Sequence, residues 1–194
     1  MSEKETEVRK EEKQKKPKKN RRAYLNDFQL QDDGGYVYKG TIYSYQGDWP
    51  EAQKNMRVLC AMLAVLAVIA GLIPSSGMMN TFYVILPYAA ELTLSALLIY
   101  EALKLTMQDG NIREYIYKKT FEHIQGRFFL LFVTSAMCMV GEIVHLLFNW
   151  FMSHSLERIG FSLLFIAVQA LIFGTVSGFS RQQQAMKFEK MKNL

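Results

Sequence analysis

The sequence is poor in the residues and motifs that most enzyme classes need. Its 194 residues contain two cysteines, Cys60 and Cys138, both among apolar neighbours where a thiol acts as a small hydrophobic group. We therefore expect no disulfide and no thiol chemistry. The chain has no Gly-rich phosphate loop, CxxC pair, HExxH motif or Gly-x-Ser-x-Gly elbow, so we predict no catalytic residue, cofactor or metal. A cleavable signal sequence is not expected either, because a long charged segment precedes the first apolar stretch.

Positive charge is nearly absent from one side of four long apolar segments. These segments cover residues 56–73, 82–100, 128–152 and 159–179, and each supplies the ~17 to 25 mostly apolar residues that a membrane-spanning helix needs. Of the 23 Lys and Arg residues, 22 flank the segments on one side, and only Arg158 falls on the other. The positive-inside rule then predicts an integral protein of the cell membrane with both termini cytoplasmic. The predicted fold class is all-α, an antiparallel four-helix transmembrane bundle.

Residues 1–22 form a highly charged N-terminal tail. They include ten basic and five acidic residues and no aromatic residue, a composition that predicts disorder. Seven of the ten residues in 13–22 are basic, so the tail either contacts anionic lipid headgroups or only enforces the topology. No nucleic-acid motif accompanies this charge, and we do not expect nucleic acid as a partner. A second basic cytoplasmic tail is predicted at residues 182–194.

The juxtamembrane segment, residues 23–48, is rich in tyrosine. Tyrosines alternate on either side of Lys39-Gly40, which predicts a small β-hairpin with Tyr36 opposite Tyr43. A two-stranded hairpin is marginal by itself, so its tyrosine face must rest on the membrane interface or on another protein. The predicted interfacial aromatic residues are Tyr36, Tyr38, Tyr43, Tyr45 and Trp49.

Local signals predict where helices begin. Asp48-Trp49-Pro50-Glu51 has the spacing of a capping box, so the first helix starts there and the four-span region covers residues 49–181. Ser75-Ser76-Gly77 is typical of a short outer turn between the first two spans. A second capping box at Asn111-Ile112-Arg113-Glu114, followed by apolar residues at helical spacing, predicts a cytoplasmic amphipathic helix over residues 112–125.

Three polar side chains interrupt the apolar segments at similar predicted depth. Glu91 and Glu142 are each ten residues from the outer ends of their spans and Gln169 is eleven, so they are predicted to form one polar layer near mid-membrane. His145 lies one turn outward of Glu142 on the same helix face. Pro87 lies one turn outward of Glu91, where it removes a helical hydrogen bond and predicts a kink.

This polar layer allows three interpretations. It is a neutral hydrogen-bonded clasp between helices, or a proton or cation site, because two carboxyls at one depth should not both ionise without a cation. The third is a metal centre, since Glu142 and His145 match the Glu-x-x-His spacing of di-iron bundles. A di-iron site needs two such motifs and two further glutamates, whereas the chain has one motif and Glu91.

Small residues recur on the last span. Ala170, Gly174 and Gly178 are spaced by four, which predicts close helix packing, either inside the bundle or between protomers. From these features we expect a non-catalytic accessory or interaction subunit of a membrane complex. Its expected partners are the lipid bilayer and another membrane protein or a second copy. The alternative is a small transporter or channel component with a proton or cation site at Glu91 and Glu142.

Overall fold

The computed structural model describes residues 28–30, 34–152 and 156–191, so the predicted N-terminal tail, residues 1–22, lies outside the described part. The chain divides into two units, with the boundary after Gly40. In the first unit, β1 (Phe28–Leu30) and β2 (Tyr36–Tyr38) pair antiparallel, with Phe28 opposite Tyr38. The rings of these two residues meet edge to face at 5.4 Å, whereas Tyr36 is 72% exposed.

The second unit is mostly helical. Its helices are α1 (Trp49–Leu72), α2 (Ser76–Asn80), α3 (Phe82–Thr106), α4 (Glu114–Ile116), α5 (Glu122–Met152) and α6 (Leu156–Ala185). A π-helical turn, Tyr117–Phe121, joins α4 to α5. Four helical stretches are long and apolar enough to cross a membrane: α1, α3, Glu114–Phe148 and α6. The prediction of four such segments is confirmed.

The start of α1 follows its predicted capping signal. The Asp48 side chain accepts a hydrogen bond from the Glu51 amide at 3.3 Å, and Pro50 lies in the first turn, where its missing N–H costs nothing. The helix ends at Leu72, ahead of Pro74. Ser75 then caps α2, its hydroxyl accepting from the Met78 amide at 3.2 Å.

Each long helix buries a line of residues spaced alternately by three and four, the spacing of a heptad seam. The buried lines are Met56, Cys60, Leu63, Ala67 and Ala70 on α1; Val84, Tyr88, Glu91, Ser95, Leu98, Ala102 and Leu105 on α3; Ile124, Phe128, Leu131, Ser135, Cys138 and Glu142 on α5; and Ser162, Phe165, Gln169, Ile172, Val176, Phe179 and Gln183 on α6. Helix α3 packs against α1 and α5, and α6 packs against the same two helices.

Contacts between α1 and α3 show that these neighbours run in opposite directions. The Tyr88 hydroxyl, early in α3, donates to the Ala67 carbonyl, late in α1, at 2.8 Å. Conversely, Arg57 at the start of α1 donates to the Thr106 carbonyl at the end of α3, at 3.2 Å. Gly71 makes room for this packing, because a methyl group at Gly71 would overlap the Tyr88 hydroxyl.

A three-stranded antiparallel sheet lies at the end of the unit where α1 begins; its central strand falls within the predicted hairpin segment, and its two outer strands were not predicted. Its order is β4 (Asn111–Arg113), β3 (Ile42–Tyr45) and β5 (Phe188–Met191). The predicted hairpin around Lys39-Gly40 is therefore wrong: β2 pairs with β1, and β3 pairs on both sides with strands from distant parts of the chain. A central strand satisfies both of its backbone edges, which a lone hairpin strand cannot do.

The same sheet changes two other predicted boundaries. Ile112 was predicted to begin an amphipathic helix, but it lies in β4 opposite Tyr43 and is fully buried, so the helix starts at Glu114. The predicted C-terminal basic tail contributes the end of α6 and then β5, whose Phe188 lies opposite Tyr45. Both corrections have one cause: strand pairing joins segments far apart in sequence, and local periodicity does not record it.

An aromatic cluster connects this sheet to the helices. It consists of Tyr43, Tyr45, Trp49, Tyr117, Phe121 and Phe188. Tyr43 stacks on Tyr117 at 4.2 Å, and the Phe188 ring meets four of the others at 5.2 to 6.3 Å. The Trp49 indole donates to the Gln108 carbonyl at 2.7 Å. Gly110, with φ of +79°, turns the backbone beneath Trp49.

Replacement of Phe188 tests whether this cluster holds the sheet. Phe188→Ala should lower the free energy of unfolding by about 2 kcal/mol, less than the ~3 to 5 of a fully buried ring because Phe188 is half-buried. Amide exchange at Tyr43 and Tyr45 should accelerate with it. The matched control is Met191→Ala in the same strand, since Met191 is 47% exposed and should tolerate the change. Equal effects of the two substitutions would contradict the role given to the cluster.

Candidate functional site

Glu142 is fully buried on α5 and is held by the segment that begins α2. The Ser75 hydroxyl donates to its Oε2 and the Gly77 amide donates to its Oε1, each at 3.3 Å. Ser75 is itself fully buried. The connection between α1 and α3 was predicted to be a short outer turn, but it folds inward against α5. Its inward position supplies Glu142 with two donors.

Two glycines allow this close approach. A methyl group at Gly77 would overlap the Glu142 carboxyl, so only glycine fits at that position without a shift. At Gly141, the added carbon would lie 3.1 Å from the Val84 side chain and 3.2 Å from the Tyr83 carbonyl oxygen. That carbonyl is the one that Pro87, buried within α3, deprives of a helical donor. Helices α3 and α5 are therefore in close contact one turn before the proline.

His145 lies at the outer edge of this site, one turn from Glu142 along α5. Its Nε2 is 2.6 Å from the Ser76 hydroxyl, and its Nδ1 is 3.4 Å from the Tyr83 hydroxyl. A neutral imidazole donates through one nitrogen and accepts through the other, and both hydroxyls can serve either role. His145 thus connects α5 to the first residue of α2 and to the start of α3.

Glu91 is buried one helical turn further inward. The Cys138 thiol, one turn before Glu142 on α5, donates to Glu91 Oε2 at 3.5 Å. Glu91 is 1% exposed, and the Gln169 amide is its neighbour from α6. One turn before Cys138 on α5, the Ser135 hydroxyl donates to Gln169 Oε1 at 3.1 Å.

These contacts arrange the polar residues as a stepped column, whereas depth counting predicted a single layer. The count assumed that the ends of the spans away from the sheet lie at one level. In the structure α2 contacts α5 at Glu142, and α3 begins only after α2. Glu91 therefore lies inward of Glu142. The two glutamates have different partners, since Cys138 donates to Glu91, whereas Ser75 and Gly77 donate to Glu142.

Several buried polar atoms in the described part lack a hydrogen-bond partner. Within the helix interior these atoms are Glu91 Oε1, Ser95 Oγ, Ser162 Oγ and Gln169 Nε2. Each such atom costs about 1 to 3 kcal/mol if it stays unpaired. Glu91 Oε1 is an acceptor and Gln169 Nε2 a donor, so a small rotation of the two neighbouring side chains would pair them.

The sequence analysis treated Cys138 only as a small hydrophobic group, whereas its thiol donates to Glu91. It missed five further members of the column: Ser75, Gly77, Ser95, Ser135 and Ser162. A usable signal was present for three of them, because Ser95, Ser135 and Ser162 follow the same three-and-four spacing as the recognised glutamates and glutamine. Ser75 and Gly77 carry no such signal, since they belong to a connection whose inward fold depends on a distant carboxyl.

The predicted small-residue strip on α6 is only partly used for packing. Gly178 lies 3.4 Å from Leu59 of α1, measured from an added methyl position. Ala170 and Gly174 are exposed, and nothing lies within 4 Å of a carbon added at Gly174. The interior line of α6 runs instead through residues one position away, such as Gln169, so this part of the strip faces outward.

Neither a group of metal ligands nor a related protein helps to assign a function to this site. In residues 28–30, 34–152 and 156–191, no group of three or more His, Cys, Asp or Glu side chains is placed to hold a metal ion. Comparisons with models of protein families, with curated proteins and with solved structures found no match to the chain. Its function must therefore be inferred from the polar column and the helix surfaces.

A paired glycine substitution tests the Glu142 contact. Gly77→Ala should lower the free energy of unfolding by roughly 1 to 3 kcal/mol, because the new methyl group must displace the Glu142 carboxyl or α2. Gly174→Ala should be neutral or stabilise by up to about 1 kcal/mol, since alanine favours the helix and meets open space. Thermal unfolding in detergent measures both. A neutral Gly77→Ala would show that Ser75 and Gly77 do not hold Glu142.

Proposed function

We propose that the chain is a small integral membrane protein whose four long helices form an antiparallel transmembrane bundle. The length and apolar character of these helices support this assignment. Their outward faces support it further, since Val65, Phe129 and Leu171 on three different helices are 57%, 68% and 59% exposed. A helix of a soluble protein carries polar residues on its outer face, whereas lipid solvates apolar ones.

The proposed orientation puts the sheet and both termini in the cytoplasm. Lys54 and Arg57 lie at the start of α1, Lys104 at the end of α3 and Arg181 at the end of α6, all at the sheet end. At the opposite end the single basic residue is Arg158. This distribution favours retention of the sheet end in the cytoplasm of a cell membrane.

Within that membrane, the proposed role is a non-catalytic accessory or interaction subunit. The observation that carries this proposal is that buried polar groups connect helices: Glu142 binds the start of α2, and Ser135 binds Gln169. Such bonds contribute roughly 0.6 to 2 kcal/mol each in a membrane and fix helix positions. The outward-facing Ala170 and Gly174 offer a helix of another protein, or of a second copy, a surface that it can approach closely.

One observation favours a second candidate, a transporter or channel component with a proton or cation site. Glu91 is buried beside the Gln169 amide, and its Oε1 accepts no hydrogen bond of good geometry within the described part; Ser95 Oγ, one turn away, also has no partner there. A carboxyl oxygen in that situation can take a proton or accept a cation. Glu142 is less suited to this role because two donors already occupy it.

Cysteine labelling tests the proposed topology. In a background without Cys60 and Cys138, an impermeant maleimide should label Asn80→Cys in intact cells, because Asn80 is exposed at the α2 end. Arg181→Cys, exposed at the sheet end, should react only after permeabilisation. The reverse pattern, or labelling of both positions in intact cells, would overturn the orientation.

Substitution of Glu91 separates the two candidate functions. For the accessory role, Glu91→Gln should keep the thermal midpoint, because an amide still accepts from Cys138, whereas Glu91→Leu should lose about 1 kcal/mol or more. Wild-type protein in liposomes should then pass no more protons or cations than empty liposomes. A wild-type flux that Glu91→Gln abolishes and the exposed control Glu189→Gln spares would establish the transport role instead.

A further inference from the structure

Two depressions lie on the outer surface of α1 and meet at Ala61. The first has a volume of about 350 Å³ and is lined by Pro50, Gln53, Lys54, Arg57, Val58 and Ala61. The second has a volume of about 370 Å³ and is lined by Ala61, Met62, Val65, Leu66, Leu171 and Thr175. They adjoin at Ala61, and together we call them the α1 groove. It begins at the basic end of α1 and continues between α1 and α6.

The basic end of the α1 groove can bind an anion. Its lining contains Lys54 and Arg57 and no acidic residue. Gln53 donates to the carbonyls of Thr106 and Gln108 at 3.0 and 3.1 Å, so its amide is committed to the end of α3. Arg57 gives one Nη2 donor to the Thr106 carbonyl, and a guanidinium has five N–H donors. Lys54 and Arg57 therefore give this end of the groove a positive charge that a phosphate would match.

The other end of the α1 groove is apolar. Ala61 is exposed and small, so it leaves a depression between larger neighbours such as Met62 and Leu171. The Thr175 hydroxyl donates to the Leu171 carbonyl at 2.9 Å, which leaves its methyl group to line the wall. Lys54 and Val65 are eleven residues apart, about 16 Å along the helix at 1.5 Å per residue. That length is close to half of the ~30 Å hydrocarbon core, the depth of one leaflet.

We propose that the α1 groove binds one anionic phospholipid of the cytoplasmic leaflet, with its phosphate at Lys54 and Arg57 and an acyl chain along Ala61 and Val65. This site rests on the proposed membrane function and orientation, which put the basic end of α1 at the cytoplasmic headgroup level. Its proposed ligands do not include the basic residues of the N-terminal tail. The α1 groove has a basic end and an apolar part about as long as one leaflet is deep, so it fits a lipid better than it fits a soluble anion.

The test measures lipid binding to the full-length protein, delipidated in detergent, by native mass spectrometry and by the thermal midpoint. Palmitoyl-oleoyl phosphatidylglycerol should bind in one copy and raise the midpoint more than phosphatidylcholine with the same chains. Lys54→Gln combined with Arg57→Gln should weaken phosphatidylglycerol binding by about tenfold or more, since each basic group contributes about as much as a several-fold change in affinity. Lys54→Gln alone, which removes no hydrogen bond seen in the described part, should weaken it in the same direction.

Two controls separate the lipid site from simpler explanations. Arg181→Gln removes an exposed charge at the same end but outside the groove, and it should leave binding within twofold of wild type. Ala61→Phe fills the groove without changing charge and should weaken both long-chain lipids. Undiminished binding in the double variant, an equal loss in Arg181→Gln, or equal competition by glycerol phosphate would each overturn the site. If cysteine labelling shows the basic end outside the cell, the proposed orientation fails whatever the binding result; if labelling holds and binding fails, the site alone is lost.

Discussion

A carboxyl group inside a helix interface needs donors that apolar neighbours cannot supply, and the end of the helical unit away from the sheet depends on how Glu142 obtains them. Its two donors, the Ser75 hydroxyl and the Gly77 amide, come from the chain between α1 and α3. To reach Glu142, this connection must turn inward, form the short helix α2 and carry glycine at the point of contact. The position of this connection then determines where α3 begins, and therefore how far Glu91 lies from Glu142 along the bundle.

The polar residues occupy the same heptad line that elsewhere carries large apolar side chains. On α3, Glu91 and Ser95 stand between Tyr88 and Leu98; on α5, Ser135, Cys138 and Glu142 follow Leu131. Serine and cysteine are small, so they let helices approach closely, and the Ser135 hydroxyl and the Cys138 thiol also donate across the interface. The polar column therefore lies on the same buried lines along which the helices pack.

The sheet end of the helical unit is held together by a different set of contacts. Strands β3, β4 and β5 come from the segment before α1, the connection between α3 and α4, and the segment after α6, so one sheet ties three chain segments together. Arg127 and Glu101 add an ion pair of 2.7 Å between α5 and α3 near this end. Gln183 of α6 donates to the Phe121 carbonyl at 2.9 Å, satisfying a group of the π-helical turn. The exposed faces of the long helices, which include Val65 and Phe129, take no part in these contacts.

Properties encoded within one segment could be predicted, and properties that need two distant segments could not. The four apolar helices and the Asp48 cap depend on neighbours within a few residues, and the structure contains them. The expectation that Glu91, Glu142 and Gln169 face the interior rests on the cost of exposing a polar side chain to lipid, and all three are buried in the structure. Strand β3 illustrates the second kind, because its tyrosines suit a local hairpin equally well, and only the two remote strands decide against it. Ala170 and Gly174 are a second example. Their spacing predicts that a helix can approach closely, but it does not identify that helix.

The two buried glutamates, alike in the sequence, differ in the structure in a way that bears on function. Glu142 accepts from a hydroxyl and a backbone amide, so both of its oxygens are satisfied by the fold itself. Glu91 has a thiol as its donor, and a thiol is a weak one; its second oxygen is unpaired within the described part. A group whose partners are complete has little free energy to gain from a ligand, whereas an incompletely paired one gains by binding a proton, a cation or a neighbouring amide. Within the polar column, Glu91 is therefore the carboxyl with the less complete set of partners, and Glu142 is the one that ties α2 to α5.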